Sequence, residues 1–233
     1  MRASDGIADP HCVQKAAGGV DRWQVGHRIS PGFGVAISRH CACPGACLHA
    51  GTVRYPCRTM TRIYVTGTSC SGKTTLARAI SARLSLPHVE LDALFWGPNW
   101  EPVPDATFRA RVIDGLATHD WVLDGGYAKL HDLTWGQAEI VIWLDYPMPI
   151  VLGRWARRTI RRLRTREEFW PGTGNRESAG NALRRDGLLW WILRTHRARR
   201  RRTEVRIEAH PQLRVLRMRS PDQTERWLRA LTS

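Results

Sequence analysis

The eight residues GTSCSGKT, Gly67 to Thr74, constrain this chain more than any other segment. They satisfy the spacing GxxxxGK[ST] without a mismatch, which puts glycines, a lysine and a hydroxyl where a polyphosphate needs them. The flanks agree. Arg62-Ile63-Tyr64-Val65-Thr66 reads as a strand, and Leu76, Ala77, Ile80 and Leu84 recur at helical spacing over Thr75 to Leu84. A strand that turns through glycines into a helix builds a nest of N–H groups at a helix N-terminus, where the helix dipole also favours negative charge. Gly67 and Gly72 let the backbone approach the phosphates, and Thr68, Ser69, Cys70 and Ser71 form the turn between them. Lys73 reaches the β- and γ-phosphates, Thr74 offers a hydroxyl to Mg²⁺, and Thr75 closes the expected ATP-binding segment.

The formal net charge is +15, and it is carried almost wholly by arginine, because lysine occurs only at Lys15, Lys73 and Lys129. Such a balance favours anionic partners: nucleotides, nucleic acid or acidic membrane surfaces. The excess is local. Arg154 to Arg206 holds 17 arginines against 5 acids, which is a patch and not a uniform bias. No run of about 18 apolar residues occurs, so no membrane helix is expected. The charged, apolar, small-residue order of a secretory signal is also missing at the start. A cytoplasmic, reducing location is the expectation for a nucleotide-using chain.

Residues 1–59 are rich in Gly, Ala, Cys and Pro without a sustained period of 2 or 3.6, and read as a flexible extension. Met60, immediately before the first strand, reads as the true initiator. The CxCxxxC run at Cys41, Cys43 and Cys47 suggests either a metal tract or unstructured thiols, and no second pair completes a tetrahedral zinc site. From residue 60 to 233 strands alternate with helices. Strands are expected at Ile63 to Thr66, His88 to Leu91, Trp121 to Leu123, Ile140 to Leu144 and Leu213 to Met218. Helices are expected at Lys73 to Leu84, Asp105 to Thr118, Met148 to Arg164, Ala182 to Arg202 and Asp222 to Leu231. The order predicts an α/β fold, a parallel five-stranded sheet with helices on both faces. The Gly-rich stretch EEFWPGTGNRESAG lies between arginine-bearing helices and reads as a mobile flap, an arginine-rich lid over about residues 165–187.

Ligands of open parallel sheets bind beyond the carboxyl ends of the strands, which singles out Asp92, Asp124 and Asp145. Asp124, in WVLDGGY, is the expected acid on Mg²⁺. Asp92 reads either as a base for an acceptor hydroxyl or as a helix cap, and Asp145 as a ligand or as a cap or turn residue before the next helix. Phe95, Trp96 and Trp100 after Asp92 read as a stacking wall for an acceptor or as a hydrophobic cluster over the sheet edge. Arg154, Arg158 and Arg162 share one helix face leading to the flap, and Arg176 with Arg184 and Arg185 could join them when it closes. Arg194 to Arg202 reads equally well as a nucleic-acid strip. Cys70, beside Lys73 and the nest, is expected to favour thiolate or to be an inert filler.

Together GTSCSGKT, LDALFWGPNW, VLDGGY, IVIWLDYP and GNRESAGNALRRDGLLWWILRTHRARRRR resemble the P-loop nucleoside and nucleotide kinases, most closely the adenylate-kinase-related DNA topology modulation proteins. The resemblance covers Met60 to the C-terminus. It implies a P-loop NTPase fold, ATP and Mg²⁺ as cofactors, and γ-phosphoryl transfer to a small-molecule acceptor. By the same likeness Arg154 would lie by the nucleotide base, Arg158 on phosphate, Asp124-Gly125 near Mg²⁺ and Arg219-Ser220-Pro221 beside adenine. The catalytic set would be Lys73, Asp92, Arg154, Arg158 and Arg176. The adenylate kinase DGFPR pattern reads DGGYA here, and the LFW loop replaces the helical AMP-binding insert, so the resemblance does not extend to AMP as acceptor. The rival reading is a nucleic-acid-associated ATPase that uses the arginine strip.

Overall fold

The computed structural model describes residues 61–185 and 187–231. The expected extension over residues 1–59, its cysteine tract and Met60 lie outside the described residues. The described chain runs β1 (Arg62–Gly67), α1 (Lys73–Leu84), β2 (His88–Glu90), α2 (Leu91–Phe95), α3 (Asp105–Gly115), β3 (Trp121–Asp124), α4 (His131–Thr134) and β4 (Ile140–Leu144). It continues with α5 (Met148–Thr165), α6 (Ala179–Leu183), α7 (Leu188–Ala209), β5 (Arg214–Met218) and α8 (Pro221–Ala230). Turns of 3₁₀ helix occur at Pro98–Trp100 and Ala128–Leu130.

The five strands form one sheet in the order β2-β3-β1-β4-β5, every pair parallel. The expected α/β sandwich is thus the observed one. Parallel pairing requires helical crossovers, which cover both faces, and this is why IVIWL in β4 is apolar without alternation and buried at every position. Side chains alternate across the sheet, so each strand feeds two cores. Ile63, Val65, Ile140 and Ile142 face α1, α5 and α8, whereas Tyr64, Leu123 and Val141 face α3 and α4. On α1, Leu76, Ala77, Ile80 and Leu84 form the buried stripe. Truncating fully buried Ile80 to alanine would cost about 2–5 kcal/mol.

Two expectations are corrected. The helix expected over Ala182 to Arg202 is two helices: α6 ends at Leu183, and α7 begins only after Gly187, whose extended backbone (φ −76°, ψ 174°) cannot continue a helical turn. The 22-residue α7 then runs to Ala209, well past the arginine run. The strand expected through Leu91 stops at Glu90, because Leu91 turns directly into α2 and carries Asp92 into its first helical turn.

The α7 helix places Ile192 in the core on the α1 side and Ile207 against the core on the α3 side. Its arginines therefore pass close to the carboxyl ends of β1 and β4.

Candidate active site

The segment from Gly67 to Thr75 leaves β1, turns, and enters α1 as the motif requires. Gly67 has φ 152°, and a Cβ there would lie 2.8 Å from the Leu144 carbonyl oxygen and 2.9 Å from Ser71 Oγ. Gly72 caps α1 in the left-handed region at φ 96°, and a Cβ there would meet Arg154 Nη1 at 2.6 Å. Gly67 is thus held by a backbone contact as well as by its conformation, whereas Gly72 is held by its left-handed φ, since the arginine end beside it can move. The loop is tightened by Ser71 N–H donating to the Thr68 carbonyl at 3.1 Å, and Lys73 Nζ donates to that same oxygen at 3.2 Å. Thr74 and Thr75 stand in the first turn of α1, the end at which helix amides lack internal acceptors. Burial lowers the Lys73 pKa, and Asp92 and Asp124, the largest opposing charges, raise it again. The two acids predicted around the loop therefore share a field with its lysine.

Asp124 ends β3 in register with Val65 of β1 and Glu90 of β2. It is only 1% exposed, and neither carboxylate oxygen accepts a hydrogen bond. His88 approaches it, with Nε2 3.5 Å from Oδ1. A buried carboxylate with unmet lone pairs fits a hard cation or its water shell. Among the described residues no three His, Cys, Asp or Glu side chains cluster to hold a metal, so a cation here would draw its remaining ligands from Thr74, water and the nucleotide.

Asp92 does not cap a helix. Its Oδ1 accepts from Tyr127 Oη at 2.7 Å, and burial together with the Asp92 charge raises the Tyr127 pKa, so the phenol keeps its proton and donates it to this bond. Asp145 neither caps α5, whose N-cap is Pro147, nor is free for a ligand. Arg217 donates to its Oδ2 from Nε at 2.9 Å and from Nη2 at 2.7 Å, and Arg200 lies at 3.3 Å.

The arginines divide. Arg154 donates to the Ser71 carbonyl and stacks 5.0 Å over Tyr146, so it braces the loop from α5. Arg158 has buried Nε and Nη2 atoms without partners, as has Arg162 at Nε and Nη1. Arg162 lies 3.6 Å over the Phe169 ring, and burial with the repulsion of Arg158 pulls its pKa down to about 10. These are the unsatisfied donors that a phosphate would use. Arg176 is not brought to them. It is exposed and pairs with Glu168 at 3.3 Å across an antiparallel bridge within the lid.

Three further expectations change. Burial pushes the Cys70 thiol up, outweighing Arg158 and Lys73, because the side chain packs against the core. Ser220 uses its hydroxyl to accept from Gln223 N–H at 3.2 Å and so caps α8. The LFW loop forms a hydrophobic cluster: Phe95 packs on Phe108 and Tyr127 beside the α3-side core, and Trp100 packs on Phe169 and Trp170 of the lid.

That second contact is extensive. Asn175, 1% exposed, accepts from Trp100 N–H at 2.9 Å and donates to the Gly97 carbonyl at 2.8 Å. Trp100 meets Phe169 at 4.6 Å, and Trp170 Nε1 donates to Glu90 at 3.1 Å. The segment read as a flap is docked on the loop that follows Asp92.

Sequence reasoning passed over Tyr127, His88, Asn175 and His196, whose Nδ1 lies 3.1 Å from Thr68 Oγ1. Only Tyr127 had a local signal, as the first side chain after the Gly-Gly turn.

No protein-family model matches the chain. Over 108 residues it is 33% identical to a shikimate kinase of Salinibacter ruber, covering 40% of this chain and 53% of that protein. A shikimate kinase of Gloeobacter violaceus is 31% identical over 106 residues, 40% of this chain and 60% of the relative. The chain thus spans little more than half the length of the curated relatives it matches. Among solved structures, a sugar kinase from Janibacter sp. HTCC2649 superposes with a TM-score of 0.40 at 20% identity, over 74% of this chain and 99% of that one. Shikimate kinase from Acinetobacter baumannii in complex with shikimate gives 0.39 at 18% identity, over 73% and 90%.

Proposed function

We propose that residues 60–233 form a P-loop kinase that transfers the γ-phosphoryl group of ATP to a hydroxyl of a small-molecule acceptor, in the cytoplasm. The observation that carries this reading is the pairing of an intact phosphate loop with two acids acting on its lysine, one of them positioned by a hydrogen bond from Tyr127 and the other buried with no hydrogen bond to its oxygens. The two shikimate kinases that share about a third of their residues with the matched segment support the same class of reaction.

In this mechanism the amides of Gly67 to Thr75 cradle the phosphates, and Lys73 leaves the Thr68 carbonyl to follow the β- and γ-oxygens. Mg²⁺, held by Thr74 and Asp124, would neutralise charge on those oxygens. Asp92, fixed by the Tyr127 hydrogen bond, accepts the proton of the acceptor hydroxyl. Arg158 and Arg162 supply guanidinium donors to the transferring group, and Arg154 holds the loop in shape. Ser220 and Arg176 receive no such role in the present arrangement.

A second reading keeps one observation. Arg194, Arg197 and Arg201 are exposed on α7, near Trp190 and Trp191, also exposed, as on a surface that contacts single-stranded nucleic acid. Arg199 and Arg200 turn instead toward the sheet, which divides the strip.

An ADP-release screen over nucleosides, nucleotides and hydroxy metabolites tests the first reading. Acceptor-dependent release that Lys73→Ala abolishes is expected. Release only on addition of DNA, with a steep salt dependence, would replace it by the second.

A further inference from the structure

A recess between α7 and the carboxyl ends of β1 and β4 contains a concentration of charge that no assigned role uses. One wall is α7, with Arg199, Arg202 and Arg206 at i, i+3 and i+7 on a single face. Thr66, Thr68 and Trp143 of the sheet also line it, with His131 of α4. The volume is about 90 Å³. Pockets for drug-sized ligands begin at roughly 300 Å³, so this one suits a single polar group and not a base with its sugar.

The charges lining it are not balanced. Asp145, its one carboxylate, is taken by Arg217 and Arg200. None of the guanidinium groups of Arg199, Arg202 and Arg206 contacts a carboxylate among the described residues. Burial lowers the pKa of both Arg199 and Arg206, and Arg202 repels each. Half-buried like charges of this kind call for an anion. The recess also communicates with the chemistry. Arg199 Nη1 stands 3.7 Å from where a Cβ on Gly126 would be, and its charge acts on both Asp92 and Lys73.

We infer that the recess is an oxyanion site, with Arg199, Arg202 and Arg206 as its ligands, and that it receives a carboxylate or phosphate carried by the acceptor. The acceptor is then an anionic hydroxy compound, not a neutral sugar or nucleoside. The second half of this inference rests on the kinase reading, whereas the oxyanion site stands without it.

The probe is inorganic phosphate, titrated calorimetrically into the full chain carrying Lys73→Ala, which weakens the phosphate loop as a competing site. Binding should persist there and weaken at least tenfold when Arg206→Gln or Arg202→Gln is added. ATP affinity should be unchanged by either arginine substitution alone. If half-buried Arg206→Gln fails to fold, exposed Arg202→Gln carries the test. Phosphate binding that vanishes with Lys73→Ala, or ignores both arginines, overturns the site. ADP release with matched anionic and neutral hydroxy compounds then locates the source of the anion. Turnover confined to the anionic members, with KM raised about tenfold by Arg202→Gln, supports the acceptor assignment. Turnover with neutral members alone, beside intact phosphate binding, makes the ligand a free anion and overturns that half. Failure to turn over any member counts against the kinase reading and leaves the phosphate titration to decide the recess.

Discussion

The loop proposed to meet phosphate and the surface proposed to meet the acceptor are built on opposite principles. Gly67 to Thr75 is one stretch of backbone whose shape follows from two glycines and the start of a helix. The acceptor side is assembled from residues far apart in sequence: Asn175 and Trp100 are 75 positions apart, Tyr127 and Asp92 are 35. Phosphates are alike in every nucleotide, and backbone amides suffice for them. Distinguishing one hydroxy compound from another requires side chains placed by tertiary structure, where single changes act on selectivity and not on the chemistry as a whole.

The largest effect that would break this contrast is expected at the loop. Lys73→Ala should lower turnover by on the order of 10²–10³ or more, measured by ADP release, with the fold retained by circular dichroism. Gly67→Ala comes next. Its Cβ would lie under 3 Å from a backbone oxygen at positive φ, so the loop must shift, and thermal unfolding should report a loss of about 1–3 kcal/mol. On the acceptor side Asn175→Ala removes both hydrogen bonds of a buried amide. About 1–3 kcal/mol should appear as a KM for acceptor raised roughly tenfold, with ATP affinity unchanged by calorimetry. Equal losses in both affinities would mean that lid and loop act as one unit. Arg176→Ala sits at the small end. Its partner Glu168 faces it across a bridge within the lid, and an exposed pair is worth about 0.2–1 kcal/mol, so kcat/KM should move by no more than about threefold. Cys70 sharpens the contrast from another side. With its thiol pKa raised, its thiolate fraction at pH 8 is below that of an ordinary cysteine, so iodoacetamide should label it more slowly than a free thiol, and Mg·ATP should slow labelling further.

The same division explains what could be read in advance. The strands at Ile140 to Leu144 and Trp121 to Leu123 were legible because burial on both faces leaves an uninterrupted apolar run. The loop was legible because its glycines are demanded by local geometry. Asp124 stood out by its place at a strand end, but the lack of any partner for its oxygens, and the approach of His88, are consequences of sheet register. Arg176, read from its place in the flap, and Ser220, read from likeness to other kinases, are engaged in this structure by Glu168 and Gln223, contacts that only the folded chain reveals. The electrostatic sign at Cys70 was right in its sources, since Arg158 and Lys73 do favour thiolate, and wrong in its sum, since burial is larger. The arginine run looked like one surface in sequence, yet a helix turns by about 100° per residue and sends Arg199 inward while Arg197 and Arg201 point out.

Because α7 anchors one of its turns in the core beneath α1 and another against the core beneath α3, the two halves of the sheet are cross-braced. Neither layer can melt while the other keeps this helix in place. Heat or denaturant should therefore produce one sharp transition, with amides on the two faces exchanging by the same global opening.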